Sequence, residues 1–385
     1  MSRRIRLHII AALSALCLSP LAQAQIKIGV DLATTGPAAS IGIPSKNVVQ
    51  MWPKEIAGHT IEYIILDDGS TPTGAVLNAR KLTSEDKVDV LVGPNTTPAA
   101  LATLDVLAES QTPMVALAAS ASIVLPMDAK RYWAFKMPQN DSLMATAVTK
   151  HMADNGIKTL GFIGFSDAYG ESWLTEINRL VDLRGIRVVD VERYNRADTS
   201  VTGQVLKLIA ANPDAILIAG AGTPSVTPQL ALVQQHYKGR IYQTHGIATP
   251  EFLKVGGKDV EGTIFPTGPG VVALQLPDGI ASKKVAIDFV KRYETVYGPG
   301  SATQFACDAW GAWLVLAEAL PKALKVAQPG TPEFRKALRD ALESTTNLTV
   351  PQGVLNISAA DHQGFDQRAR VMGKIVNNKF TFLSE

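Results

Sequence analysis

The sequence is poor in cysteine, in aromatic residues, in charge of one sign and in long apolar runs. Two cysteines among 385 residues, Cys17 and Cys307, are too few for a disulfide framework or a cysteine-rich metal site. Basic and acidic residues number 37 and 35, with no block of like charge, which argues against a nucleic-acid surface. Beyond residue 24 no stretch approaches the roughly 20 apolar residues that cross a bilayer as a helix. There is no Gly-x-Gly-x-x-Gly fingerprint and no Walker loop, so no nucleotide cofactor is expected. His59, His151, His236, His245 and His362 lack metal-ligand spacing. Ser166 has Gly164 but Ala168 at two removes, which is not a nucleophile elbow. Cys307 lies in a helical pattern beside Ala306, Ala309 and Trp310 and reads as a small buried hydrophobe. Asp67-Asp68 reads as a turn or helix cap rather than a metal site. With no nucleophile, base and orienting residue to assemble, no enzyme is expected.

What is present begins with a leader. Ser2 to Arg6 carries three arginines and no acid, Leu7 to Leu18 is almost wholly apolar, and Ala22 and Ala24 are small. This is the three-part secretory pattern, with cleavage expected after Ala24 and the periplasm as destination. Removing residues 1–24 deletes Cys17 and leaves 34 basic against 35 acidic residues, so the apparent basicity belongs to the leader.

From Gln25 onward, β-rich runs alternate with helical patterns, which builds parallel sheets from βαβ units and makes the fold class α/β. Strands are expected at Ile26 to Val30, Ile61 to Leu66, Val88 to Val92 and Met114 to Leu117, with helices near Pro44 to Ile56, Thr73 to Glu85 and Pro98 to Ser110. A second series follows Pro138-Gln139-Asn140-Asp141. Its strands are expected at Thr159 to Phe165, Arg187 to Arg193, Ala215 to Ala219 and Arg240 to Gln243. Two series of about 120 residues each imply two lobes. A Gly/Pro-rich stretch, Thr263 to Gly279, separates them from a mainly helical tail: Ser282 to Tyr297, Ala302 to Val326 and Pro332 to Glu343.

In open α/β sheets, loops beyond the carboxyl ends of the strands form the binding crevice. Here those loops are small and hydroxylic: Thr34-Thr35-Gly36-Pro37, Asn95-Thr96-Thr97 and Ala118 to Ser122. Several open into helix N-termini, whose free N–H groups suit a carboxylate. The second and third loops hold no arginine or lysine, so neutral donors are expected to hold the anion.

Lys27-Ile28-Gly29-Val30, Thr35-Gly36-Pro37-Ala38, Asp67-Asp68, Val92-Gly93-Pro94 and Ser166-Asp167-Ala168-Tyr169-Gly170-Glu171 fall in an order that resembles the leucine/isoleucine/valine-binding branch of periplasmic substrate-binding proteins, the receptors of ABC importers. The resemblance covers essentially the whole chain after the leader. It implies two Rossmann-like lobes of the type I periplasmic binding protein fold joined by three crossovers, with residues 25–140 and 270–345 in the first lobe and 141–269 and 346–385 in the second. It implies a carboxylate held by Asn95, Thr96, Ala119 and Ser120, covered by Ile41 where an aromatic is common. Tyr169 would close from the second lobe, and Gly222 and Thr223 match positions that are often bulkier in the amino-acid receptors.

One position departs from the pattern. Amino-acid receptors of this family place a glutamate after the strand written here as Ile241-Tyr242-Gln243, to pair with the ligand's ammonium, whereas this sequence has His245-Gly246. A buried ammonium without a carboxylate forgoes a charge-assisted hydrogen bond of about 1.5–3 kcal/mol. The expected ligand is therefore a small carboxylate without an α-amino group and, by resemblance to the family's aromatic-acid receptors, an aromatic acid or aryl keto acid. The implied partner is a membrane permease, with the receptor a monomer. A branched-chain amino-acid receptor whose ammonium meets another acid such as Asp167 is the alternative, and a sensory module on the same fold is a different class.

Overall fold

Strands buried on both faces need helices on both faces, and the order of elements supplies them. The computed structural model describes residues 25–384, so the leader and its cleavage site lie outside the described residues. β1 (Ile26–Leu32), β2 (Glu55–Ile56), β3 (His59–Asp67), β4 (Val90–Val92), β5 (Met114–Ala116) and β6 (Ala134–Lys136) form one sheet in the order β2-β3-β1-β4-β5-β6. All its pairings are parallel except β2 with β3. β7 (Thr159–Phe165), β8 (Arg187–Tyr194), β9 (Ala215–Ala219), β10 (Arg240–Gln243) and β11 (Ile264–Thr267) form the parallel part of a second sheet. After a small hairpin of β12 (Leu348–Val350) and β13 (Gly353–Leu355), β14 (Val371–Val376) and β15 (Lys379–Leu383) add antiparallel strands to that sheet, giving β15-β14-β11-β10-β9-β7-β8.

Each sheet with its helices makes one lobe around its own core. Ile28, Val30, Phe289, Trp313, Leu316 and Phe334 belong to the first, and Leu160, Phe162, Trp173 and Leu217 to the second. The chain passes between the lobes three times, over residues 137–143, 268–282 and 366–370. Val350, Leu355, Ile357 and Phe365 pack in the first core, so the last crossing comes after them rather than at residue 346 as expected.

Several expected elements recur with the same bounds, among them β7, β9, β10 and the helix Pro332–Glu343. Others differ for local reasons. The helix expected over Pro44 to Ile56 spans Ala39–Val49 and carries Pro44 in its interior. Its start is set by the preceding turn, where the Ala38 N–H donates to Ser70 Oγ at 2.9 Å, and the chain has left the helix before Trp52-Pro53 to form β2. The Gly/Pro-rich stretch at 263–279 contains β11, and the tail read as mainly helical ends in the β14–β15 hairpin. That hairpin turns on Asn377 and Asn378, whose φ values of 52° and 57° are the left-handed pair that a two-residue hairpin loop requires.

In both sheets the strand order reverses about the first strand of the series, between β1 and β4 and between β7 and β9. A crevice opens at such a switch point. The helix Ala39–Val49 is pressed onto the loop after β1: a Cβ on Gly42 would lie 1.9 Å from the Ala33 carbonyl oxygen. Gly42→Ala is expected to lower stability by about 1–3 kcal/mol through this backbone overlap, measured as a shift in the urea midpoint at unchanged slope.

Candidate functional site

The loops at the two switch points face each other and enclose a cavity. Ile41, Asn95, Thr96, Thr97, Leu117 and Ala119 line it from the first lobe, joined by Phe305 and Asp308 from the helix Gln304–Leu324. Tyr169, Arg196, Ala221, His245 and Gly246 line it from the second lobe, and Pro138 from a crossing. The enclosed cavity volume is about 30 Å³. That is room for a water or two, so the two lobes stand close against one another here.

The helix start in the first lobe differs from its counterparts. Thr71, Thr249, Thr303 and Thr331 each cap a helix by accepting a backbone N–H on the hydroxyl, at 2.9–3.2 Å. Thr96 occupies the same position on the helix Thr97–Ser110 and makes no such bond. Thr97 Oγ1 is buried with no partner among the described residues. Asn95 is committed differently: its Oδ1 accepts from Ala33 N at 3.2 Å and its Nδ2 donates to Ser45 Oγ at 3.0 Å. Its side chain therefore braces the loop after β1 and is not a free donor.

Across the cavity, Asp167 caps the helix Ala168–Val181 through Tyr169 N at 2.8 Å, which fixes Tyr169 on the first turn. The Tyr169 hydroxyl donates to Thr244 Oγ1 at 2.8 Å, and Thr244 donates to the Gly220 carbonyl at 2.7 Å. Burial pushes the tyrosine well above its ordinary value, so it stays a neutral donor. Arg196 is aimed by two partners, Asp167 Oδ2 at 2.7 Å and the Phe165 ring 4.1 Å beneath its guanidinium. His245 follows β10 in a short 3-10 turn, its ring 6.0 Å from that of Trp173 and 6.5 Å from that of Tyr169. His245 Nδ1 also has no partner among the described residues.

Three expected residues stand elsewhere. Ser120 Oγ bonds Ser122 and, across the lobes, Ser172 Oγ at 2.9 Å, and Ser172 donates to Asp141 Oδ2 at 2.6 Å. This hydroxyl is spent on a bridge between lobes, not on the cavity. Gly222 and Thr223 are a second bridge, with Thr223 N donating to Ser40 Oγ at 3.1 Å. Ile41, Asn95, Thr96, Ala119, Tyr169 and His245 are brought together. Asp67 braces the turn after β1, accepting from Thr34 N, Thr35 N and Thr35 Oγ1.

Residues 25–376 match the family model described as periplasmic binding protein. The chain belongs to that family. It is similar to an extracellular ligand-binding receptor from Rhodopseudomonas palustris HaA2, with a TM-score of 0.91 and 45% identity over 94% of this chain and 100% of that one. A Leu/Ile/Val-binding protein of Rhizobium johnstonii is 25% identical over 88% of this chain and 89% of its own length. A solute-binding protein of an R. palustris ABC transporter, solved in complex with benzoate, shares the fold at a TM-score of 0.81 and 19% identity, covering 93% of this chain and 95% of that one. No helix of this binding protein among the described residues is long and apolar enough to cross a membrane.

Leu117, Pro138, Arg196, Ala221, Phe305 and Asp308 are wall residues that sequence reasoning did not put forward, and Arg196 and Asp308 are the charged ones among them. Arg196 lies just beyond the carboxyl end of β8, where the crevice rule points. Asp308 is an acid on a helical face whose neighbours Phe305, Ala306, Cys307 and Ala309 are all buried, and a charge on an apolar face is itself a signal. Burial pushes Asp308 up to about 7, against the pull of hydrogen bonds from Gln352 and Gln304 and of the nearby Lys136. Burial also drives Lys136 down, with Asp141 and Asp308 opposing.

Burial, with the Lys136 charge adding to it, pulls the His245 imidazole down to about 3. The folded state rejects charge here, so the contribution of His245 to stability is complete above the ordinary histidine value and is lost as pH falls toward about 3. Relative to His245→Gln, the natural protein is expected to lose up to about 1.4 kcal/mol per pH unit across that window, read from urea titrations at successive pH values.

Proposed function

We propose that this protein is the exported receptor of an ABC importer that captures a small carboxylate, an aromatic acid or aryl keto acid, between its lobes and passes it to a membrane permease without chemical change. Residues 25–140 and 270 to about 370 would move as one lobe and the remainder as the other, hinging at the three crossings. The observation that carries the ligand class is the neutral His245 beside the cationic Arg196, on a wall whose other polar side chains are those of Asn95, Thr96, Thr97, Tyr169 and Asp308. The carboxylate is assigned to Thr96, Thr97 and the N–H groups of their helix start, with Arg196 brought to it from the second lobe on closure. Ile41, Leu117 and Phe305 would flank the ring, His245 would meet a distal hydroxyl or carbonyl, and Tyr169, whose proton goes to Thr244, would accept from a distal hydroxyl. The Leu/Ile/Val specificity of one relative and the benzoate bound to another bracket this choice.

A second reading follows from Asp308, the one carboxyl group on the cavity wall among the described residues. An amino-acid receptor would direct its ligand's ammonium there. Asp167, the acid first expected in that role, is engaged by Arg196 and its own helix start.

A thermal-shift screen of leucine, valine, phenylalanine, benzoate, 4-hydroxybenzoate, p-coumarate and benzoylformate separates the two. Aromatic acids are expected to stabilise the protein, by about 2.7 kcal/mol at 100 times the dissociation constant. Stabilisation by leucine or valine alone would overturn this ligand class. Arg196→Gln is expected to weaken aromatic-acid binding by about 1.5–3 kcal/mol, measured by calorimetry. Unchanged affinity on His245→Glu would remove that residue from the site.

A further inference from the structure

All three chain crossings end on one buried lattice of side-chain amides. Gln139, from the first crossing, donates to the Ala369 carbonyl at 2.7 Å on the third. Gln304 Oε1 accepts from Gly268 N at 3.0 Å, and Gln352 Oε1 accepts from Gly270 N at 3.2 Å, which holds the second crossing. Gln304 Nε2 donates to Gln139 Oε1 at 3.0 Å, joining first to second. The lattice converges on one acceptor: Asp308 receives Gln304 Nε2 at 3.2 Å and Gln352 Nε2 at 3.1 Å. All four side chains are at most 1% exposed. Of the four, only Asp308 also lines the cavity.

We propose that Asp308 is a positioning residue that couples the cavity to the hinge: its carboxylate holds Gln304 and Gln352 in the geometry that fixes the three crossings in the closed arrangement, so a ligand that touches it biases lobe closure. The inference rests on the cavity being the ligand site. Its logic is that of a shared two-state element, with ligand contact and hinge geometry meeting at one group. Coupling of this kind is reciprocal, so disturbing the lattice away from the cavity changes affinity inside it.

The test uses the full mature chain with one spin label on each lobe, together with calorimetry using p-coumarate as the probe. Asp308→Asn places an amide against the amides of Gln304 and Gln352, and Gln352→Met removes a lattice member that does not line the cavity. Each is expected to move the ligand-free lobe-to-lobe distances toward the open form and to weaken p-coumarate binding by about tenfold. The double variant should do no more than either single change, because both break one network. Ligand-free distances unaltered in both variants would overturn the proposal. So would a loss of affinity in Asp308→Asn with none in Gln352→Met, which would make Asp308 an ordinary contact. Failure of the natural protein to bind p-coumarate would count against the ligand class alone, since the ligand-free distances still decide the role of Asp308. Should Asp308→Asn not fold, Gln352→Met and Gln139→Met form the same cycle without it.

Discussion

A backbone that crosses between two lobes through a buried waist must find partners for its N–H and C=O groups where neither sheet nor helix nor water supplies them. Here that need arises at each of three crossings. The glutamines at 139, 304 and 352 meet it: Gly268 N, Gly270 N and the Ala369 carbonyl all end on side-chain amides. Left unpaired, each such group costs about 1–3 kcal/mol. A long side chain with a terminal amide can follow a moving backbone group in a way that a sheet ladder cannot. The helix Gln304–Leu324 carries Gln304 and Asp308 one turn apart and buries its opposite residues, Trp313 and Leu316 among them, in the first core. The waist is thereby anchored to the more helical lobe.

The cavity inherits its place from the same architecture. Two switch points, one per sheet, face each other across that waist, so loops from β1, β4, β7 and β9 converge. Their polar groups divide sharply. Asn95, Ser120, Tyr169 and Asp167 are satisfied by protein partners and set the shape of the walls. Thr97 Oγ1 and His245 Nδ1 are buried without a partner among the described residues, and Thr96 declines the capping role that Thr71, Thr249, Thr303 and Thr331 accept. Each lobe thus brings to the cavity wall one buried polar atom without a protein partner among the described residues.

Much of this was legible in the sequence where a pattern is local. Elements such as the strand Ala215–Ala219 and the helix Pro332–Glu343 are written in a few adjacent residues, and the structure repeats them. The hydroxylic loops were legible because crevice position follows from strand order. Hidden features are those whose cause is remote. The helix at Ala39–Val49 begins where Ser70 receives its first N–H, 32 residues away along the chain. Ser120 resembles a ligand donor until Ser172 and Asp141 claim it from the other lobe. The final hairpin had a signal, the Asn377-Asn378 pair between alternating runs, but a helical tail was the stronger pattern. Asp308 required knowing that its helix has no solvent face at that level.

Gly222 shows how little matter separates open from shut. Its φ of 65° and missing side chain let the second lobe come up until Thr223 N reaches Ser40 Oγ; a single added carbon would stand 2.4 Å from that oxygen. The end point of lobe travel is therefore written as an empty volume rather than as a contact. A side chain at that position would meet Ser40 Oγ first, so the hydroxyl would have to turn aside, and give up the Thr223 N–H, before the lobes could come as close.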